Sequence, residues 1–294
     1  MKQNKWILAA LLGSLLLCGC AAVAPSAPSP TSTPEPIVVT EELAAPVFTP
    51  RPTAVPTPSP TPTPSPTPTP SPTPTPSPTP EPTPDPNRPM VALTFDDGPN
   101  LTYTPQVLDK LEQYGAKGTF FVVGSHLNEK SKPLLQRMAD AGHDIGMHGL
   151  NHTAMTRFSA AKNTDRFEQM RQKISEQIEG GYDTHLLRPP YGSQNKNVLK
   201  ACAAAGVACI RWSVDTRDWS NKNANTIFRI VQRDTKNGAI ILFHDRLEST
   251  VASLDKVIPW LQEQGYALVT VTELLESAGP IVYGQDYRYK KISE

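Results

Sequence analysis

Short apolar runs alternate with amphipathic segments from about residue 90 to the end of the chain. The apolar runs, often β-branched, predict strands at 91–95, 119–123, 144–148, 185–188, 207–214, 239–244 and 267–271. Segments with apolar residues at helical spacing, each followed closely by glycine, predict helices at 105–114, 132–141, 165–178, 195–205, 224–236 and 251–264. This alternation is typical of an α/β fold with a parallel sheet and crossover helices. About seven such units predict a distorted or incomplete (β/α) barrel, with a doubly wound open sheet as the alternative.

The first 88 residues lack this alternation. Of the 32 prolines in the chain, 25 lie before residue 90, and every even position from 56 to 86 is proline. Such a repeat carries too little apolar surface to build a core and favours extended polyproline II, so residues 21–88 are predicted to form a disordered linker. At about 3.1 Å per residue, the extended linker would reach on the order of 150–200 Å. The folded domain is predicted to comprise residues 89–294.

The N-terminus has the pattern of an export signal. Lys2 and Lys5 precede an apolar run that is too short for a transmembrane span, which needs about 20 apolar residues. Residues 1–20 therefore predict a signal peptide. The segment Leu17–Cys20 resembles a bacterial lipobox, which implies that Cys20 carries lipid and anchors the chain to the bacterial cell membrane, outside the cytoplasm. An ordinary signal peptide of a secreted protein and an uncleaved anchor are the alternatives.

The charge of the chain argues against nucleic acid as a binding partner. The chain has 28 basic and 28 acidic residues and no basic stripe, so it lacks the electrostatic footprint of a nucleic-acid-binding protein.

Cys202 and Cys209 are predicted to be buried free thiols, with a disulfide between them as the alternative in an oxidising compartment. We expect a monomer, and we expect residues 281–294 to pack against the folded domain.

Ionisable residues cluster directly after the predicted strands. In a (β/α) barrel these positions share one face, and in an open sheet they line the crevice at the carboxyl ends of the strands. The residues at these positions are Asp96, Asp97, His148, His152, Arg188, Asp215, Asp218, His244 and Asp245. Because either topology brings them together, we expect the active site at this end of the sheet.

Three of these residues form a predicted metal site. His148 and His152 are four positions apart, so both imidazoles can face one ion, and Asp97 can supply a carboxylate. Two histidines and one carboxylate leave coordination positions open for water and substrate, as a catalytic metal requires. This donor set suits Zn²⁺, with Co²⁺, Mn²⁺ or Ni²⁺ as alternatives. Asp96 is then free to act as a base, and Arg188 could hold it ionised. A simple β-turn is the alternative interpretation of the Asp-Asp-Gly-Pro segment.

His244 ends an apolar strand, where a histidine is either a core residue or a catalytic acid. A carboxylate on one ring nitrogen would stabilise the imidazolium and make His244 a general acid for a leaving amine. Asp218 or Asp215 could be that partner. The remaining histidines, His126, His143 and His185, have no matching constellation and are interpreted as structural or surface residues.

Five separate motifs, in order along residues 89–275, resemble those of the polysaccharide deacetylase family, carbohydrate esterase family 4. The motifs are Thr94–Pro99, His148–His152, Arg188–Gly192, Asp215–Trp219 and Leu242–Asp245. The resemblance implies a distorted (β/α) barrel and a bound divalent metal. It also implies Asp96 as the catalytic base oriented by Arg188, and His244 as the general acid tuned by Asp218.

The resemblance further implies how a sugar would be held. The backbone N–H of Tyr191 would help to hold the oxyanion, Trp219 would wall the groove, and Leu242 would lie in the pocket for the acetyl methyl group. The chain departs from the family pattern at two loop positions. Gly149 stands where serine or threonine is usual, and Thr153 stands where proline is frequent.

The expected function is metal-dependent removal of acetyl groups from N-acetylglucosamine units of a polysaccharide, with peptidoglycan as the first choice of substrate. Chitin oligomers, acetylated exopolysaccharide and acetylxylan are the alternative substrates. Two other functions remain as alternatives: a wall-binding module without activity, and a hydrolase of small cyclic amides on a related barrel.

Overall fold

The computed structural model describes residues 88–288. The predicted signal peptide with Cys20, nearly all of the predicted linker and the last six residues lie outside the described residues. Within residues 88–288, no helix is both long enough and apolar enough to span a bilayer.

Strands and helices alternate along the described residues. The strands are β1 (Met90–Gly98), β2 (Thr119–Val122), β3 (Asp144–Met147), β4 (Leu186–Leu187), β5 (Ala208–Ile210), β6 (Val214–Asp215), β7 (Ala239–His244), β8 (Ala267–Val269) and β9 (Asp286–Tyr287). The helices are α1 (Thr104–Gln113), α2 (Lys132–Asp140), α3 (Ala160–Ser175), α4 (Lys196–Ala204), α5 (Asp218–Asn221), α6 (Ala224–Asp234), α7 (Glu248–Glu263) and α8 (Val271–Glu276). Short 3₁₀ turns lie at Gly124–His126, Met155–Arg157 and Pro190–Gly192.

The strand order defines a distorted barrel and excludes the open sheet. The described strands pair in parallel in the order β6-β7-β1-β2-β3-β4-β5-β9, with β8 beside the start of β1. β5 and β6 therefore lie near opposite ends of the sheet, yet only residues 211–213 separate them in the chain. Four peptide steps span at most about 15 Å, so the two ends of the sheet must curl towards each other. The predicted (β/α) barrel is confirmed.

Alternation along the strands divides the core into two parts and aims the polar residues inward. Val91, Leu93 and Phe95 of β1 pack with the surrounding helices, whereas Met90 and Ala92 belong to an inner cluster. Because side chains in a strand alternate between the two faces, Thr94 and Asp96 continue the inner face. The same spacing places Arg188 after inner Leu186, and Leu242 and His244 after inner Ile240. The inner face thus changes from apolar to ionisable at the carboxyl ends of the strands.

The secondary-structure predictions need several corrections. The predicted strand 207–214 is two strands, because the chain turns at residues 211–213 from β5 to β6 on the other side of the barrel. Helix α3 begins at Ala160, five residues before the prediction, because the Ser159 side chain caps it by accepting from the Lys162 N–H. The pattern missed α5 entirely. It also missed α8, whose start is fixed by a capping box between Thr270 and Glu273.

The described part of the C-terminal tail packs against the domain, as predicted. Residues 286–287 form β9, which pairs in parallel with β5. The Tyr287 side chain is buried in the inner cluster, and Asp286 forms an ion pair with Arg211. Cys202 and Cys209 are buried and free, which confirms the preferred interpretation of these thiols.

Candidate active site

Three potential metal ligands meet at the carboxyl ends of β1 and β3. The Oδ1 atom of Asp97 lies 3.5 Å from Nε2 of His148 and 3.2 Å from Nε2 of His152. The ligand atoms of all three residues lie within 4.8 Å of one another. A hydrogen bond of 2.7 Å joins Nδ1 of His148 to the Arg188 carbonyl, so Nδ1 carries the proton and Nε2 presents its lone pair to the site. The donor set and this tautomer both fit a divalent metal ion.

The pKa shifts of Asp97 and His152 suit metal binding. Burial acts to raise the pKa of Asp97, but the neighbouring His148 and Arg246 outweigh it and hold the pKa well below its usual range. Burial lowers the pKa of His152 below its ordinary value. An ionised carboxylate is the form of Asp97 that binds metal, and a neutral imidazole is the form of His152 that does.

Asp96 lies beside the three potential metal ligands and is held by a fully buried arginine. Nη1 of Arg188 donates to Oδ1 of Asp96 at 2.8 Å and to the Thr94 hydroxyl at 2.7 Å. The guanidinium also donates to the carbonyls of Ile210 and Arg211 at 3.4 and 3.0 Å. This network satisfies most donors of Arg188 and fixes the orientation of the Asp96 carboxylate.

His244 has a buried carboxylate partner, and that partner is Asp218. Oδ1 of Asp218 lies 2.7 Å from Nδ1 of His244, and Oδ2 accepts the His244 backbone N–H at 2.7 Å. The Thr250 hydroxyl donates to the same Oδ2 at 2.6 Å. Asp215, the other candidate, accepts instead from the Arg217 N–H. The arrangement leaves Nε2 of His244 as the ring nitrogen available to the cleft.

One cleft of about 440 Å³ is lined by the three potential metal ligands together with Asp96 and His244. Two aromatic side chains on its rim are strongly exposed: Tyr191 at 70% and Trp219 at 53%. Leu242 is buried in its wall. An apolar wall with exposed aromatic rings suits the apolar faces of a sugar chain and a methyl group.

Sequence reasoning missed two cleft residues, Trp212 and Arg246. Trp212 lies so close to Gly192 that a Cβ there would be 2.7 Å from the indole, which explains the glycine. The interruption of an apolar run at residues 211–213 was the sequence feature that could have identified Trp212 as a cleft residue. Nε of the half-exposed Arg246 donates to Oδ2 of Asp97 at 2.8 Å. No spacing rule would have linked that arginine to Asp97.

Several site residues occupy left-handed backbone conformations that side chains rarely adopt. Asp97, His152 and Tyr191 have φ values of 72°, 53° and 62°. Such conformations cost on the order of 1–3 kcal/mol each and persist where surrounding structure imposes them, often at functional sites. Gly149, the departure from the family pattern, has a φ of 84° that glycine adopts without strain.

The other three histidines stay outside the metal group. His143 is buried, and burial followed by the charges of Lys117 and Arg137 lowers its pKa to about 4. His185 is exposed and bonds through Nδ1 to the Gly206 carbonyl. His126 is also exposed, but its Nδ1 lies 3.0 Å from the Asp97 carbonyl and so supports the loop that carries a proposed ligand.

Comparison with known proteins places this fold and site in a family. The polysaccharide deacetylase model matches residues 83–210, and the chain belongs to that family. A peptidoglycan-N-acetylglucosamine deacetylase of Bacillus cereus is 39% identical over 194 residues, which cover 64% of this chain and 89% of that protein. The peptidoglycan-N-acetylglucosamine deacetylase PgdA of Listeria monocytogenes is 39% identical over 184 residues, covering 63% of this chain. The match spans only 38% of the length of PgdA.

A solved structure has a similar barrel and was determined with a bound metal ion. The family 4 acetyl xylan esterase from Clostridium thermocellum, solved in complex with a cobalt ion, superposes with a TM-score of 0.63 at 30% identity. The superposition covers 68% of this chain and 98% of that structure.

Proposed function

We propose that the chain is a metal-dependent deacetylase that hydrolyses the acetamide of N-acetylglucosamine units in peptidoglycan. The observation that carries the proposal is the convergence of three metal ligands, the Asp96–Arg188 pair and the Asp218–His244 pair on one cleft. The names of the Bacillus and Listeria relatives support peptidoglycan as the substrate.

Each group has a defined task in amide hydrolysis. Asp97, His148 and His152 would hold the metal, with Zn²⁺ as the first choice and Co²⁺, Mn²⁺ or Ni²⁺ as alternatives. The bound ion would supply Lewis-acid polarisation of the acetamide carbonyl and lower the pKa of water. Asp96 takes a proton from the attacking water, whose oxygen bonds to the carbonyl carbon.

The remaining residues complete the reaction. The Tyr191 N–H donates to the oxyanion; one such donor is typically worth about 3–4 kcal/mol of barrier. Nε2 of His244 gives its proton to the nitrogen as the C–N bond breaks, which releases acetate and a free amine. Leu242 contacts the acetyl methyl group, and Trp219 contacts the sugar chain.

Acetate release from purified substrates tests the proposal. Peptidoglycan fragments, chitin oligomers and acetylxylan are incubated separately with the purified chain, with chelator, and with chelator followed by excess Zn²⁺. We expect loss of acetyl groups from peptidoglycan by mass spectrometry, abolished by chelator and restored by Zn²⁺. Undiminished turnover after complete metal removal would contradict the mechanism, and faster cleavage of another polymer would reassign the substrate.

Replacing Asp218 by asparagine should move the alkaline limb of the pH–rate profile. Burial acts to lower the pKa of His244, but its hydrogen bond to Asp218 and the charges of Asp218, Asp96 and Asp97 raise it above the ordinary value. A general acid works only when protonated, so activity falls as pH rises through this pKa. Asp218→Asn removes one charge and lowers the pKa, so the alkaline limb of kcat/KM shifts to lower pH.

Asp215→Asn is the matched control, because Asp215 lines the same cleft without touching His244. Its alkaline limb should stay in place. An unshifted limb in Asp218→Asn, or an equal shift in both variants, would contradict the pairing.

We also propose an extracytoplasmic location with lipid attachment at Cys20, which lies outside the described residues. The pattern at Leu17–Cys20 and the wall polymer named for the relatives support this location. A radiolabelled fatty acid should label the chain and Cys20→Ala should lose both label and membrane association. Retained label in Cys20→Ala would contradict the attachment site.

A further inference from the structure

Asp245 has a buried carboxyl group that lies behind the Asp96–Gly98 segment, and no step described above uses it. It follows His244 at the end of β7 and is completely buried. Oδ2 accepts the Thr104 hydroxyl at 2.5 Å, whereas Oδ1 makes no hydrogen bond within the part of the chain that the structure describes. Burial, opposed by the Thr104 bond, raises the pKa of this carboxyl to about 7. A group so expensive to bury calls for a structural or functional reason.

The carboxyl of Asp245 presses against Gly98, the residue after the proposed metal ligand Asp97. A Cβ at Gly98 would lie 2.3 Å from Oδ2 and 2.6 Å from Oδ1 of Asp245. The φ of Gly98 is not in the left-handed region, so its backbone alone would accept alanine. The requirement for glycine at this position therefore comes from Asp245.

Asp245 also joins three segments of the site. Its backbone N–H donates to the Asp96 carbonyl at 3.3 Å, which links the end of β7 to the end of β1. Its partner Thr104 begins α1, and the Thr104 hydroxyl accepts the Asn100 N–H at 2.7 Å, which closes the loop after Gly98. The carboxyl thus lies between the segment with Asp96 and the strand with His244.

We propose that Asp245 is a positioning residue that holds the Asp96–Gly98 segment at its working distance from His244 and from the metal-ligating histidines. Its carboxyl supports the backbone of Gly98 from behind and limits the movement of the Asp97 side chain. The expected effect of this role on turnover rests on the proposed function, whereas its expected effect on metal binding does not.

Four variants of the full chain test the role: Asp245→Ala, Asp245→Asn, Gly98→Ala and the double variant Asp245→Ala/Gly98→Ala. The readouts are the Kd for Co²⁺, the Co²⁺ absorption spectrum, kcat, KM and Tm. Asp245→Ala should weaken Co²⁺ binding on the order of 10-fold, as outer-sphere changes do, and lower kcat with KM nearly unchanged. Asp245→Asn keeps the size and the acceptor for Thr104 and should stay close to the wild type.

The double variant distinguishes coupled effects of Asp245 and Gly98 from independent ones. Gly98→Ala alone places a methyl group against the Asp245 carboxyl. It should weaken Co²⁺ binding and change the absorption spectrum of the bound Co²⁺. In the double variant, the methyl group enters the space that Asp245 leaves. Its Kd and spectrum should therefore lie closer to the wild type than those of either single variant, a non-additivity expected only for residues in contact.

Asp144→Ala is the control for loss of stability alone. Asp144 accepts the Thr272 N–H at 2.8 Å at the start of β3, away from the metal ligands, and its removal should lower Tm without changing the Kd for Co²⁺. Wild-type Kd and kcat in Asp245→Ala, or additive effects of the two substitutions, would overturn the inference. A chain that binds Co²⁺ but releases no acetate would refute the proposed function, while the Kd and spectrum would still decide the role of Asp245.

Discussion

Asp96→Asn is expected to lower kcat by about 10³-fold while leaving the bound metal in place, since a general base typically contributes 10²–10⁴-fold. The amide cannot accept a proton from water, but it keeps the shape of the carboxylate. Oδ2 of Asp96 lies 3.6 Å from Nε2 of His148, so the side chain is a neighbour of the metal group without being one of its three members. Metal content by mass spectrometry and acetate release from the same sample measure the two effects together.

The variant also has a predictable cost in stability. Arg188 is completely buried and loses its carboxylate partner, and breaking a buried ion pair costs about 3–5 kcal/mol. The hydrogen bonds of Arg188 to Thr94 and to two carbonyls remain, so we expect a lower Tm with folding intact. Assays below the Tm separate this effect from catalysis. Full activity in Asp96→Asn would refute its role as the base, and loss of metal would refute the division of labour with Asp97.

The position of the site was predictable from the sequence because it follows from strand geometry. Parallel strands share a direction, so residues that follow them meet at one end whatever the exact topology. The inner-face spacing of Asp96, Arg188 and His244 then brings these side chains together. The barrel itself follows from the number of strand–helix units, although the crossing between β5 and β6 depends on tertiary packing.

The hydrogen-bonded pairs within the site were harder to predict from the sequence. Asp215 and Asp218 are three residues apart, and only the left-handed conformation at Arg217 and the short helix α5 turn Asp218 towards His244. Sequence patterns carry little information about a single left-handed residue that is not glycine. Arg246 was missed for a related reason, because its bond to Asp97 joins loops 149 positions apart.

His152→Ala is expected to weaken metal binding strongly and to lower turnover with it, in contrast to Asp96→Asn. Zinc binding of about 10–16 kcal/mol over four ligands averages roughly 2.5–4 kcal/mol per ligand, so the loss of one should weaken binding about 10²–10³-fold. The side chain is partly exposed and lies outside the core clusters, so Tm should change little in metal-free samples. Titration with a chromophoric chelator measures the Kd, and acetate release measures turnover.

His185→Ala is the matched control, because His185 is an exposed histidine of the same domain that lies outside the metal group. It should keep the wild-type Kd and kcat. Since the defect in His152→Ala lies in affinity, a large excess of Zn²⁺ should restore part of its turnover, whereas the same excess should leave Asp96→Asn inactive because its missing group is the base. Stoichiometric metal with full activity in His152→Ala would remove this residue from the ligand set and leave the metal with Asp97 and His148 alone.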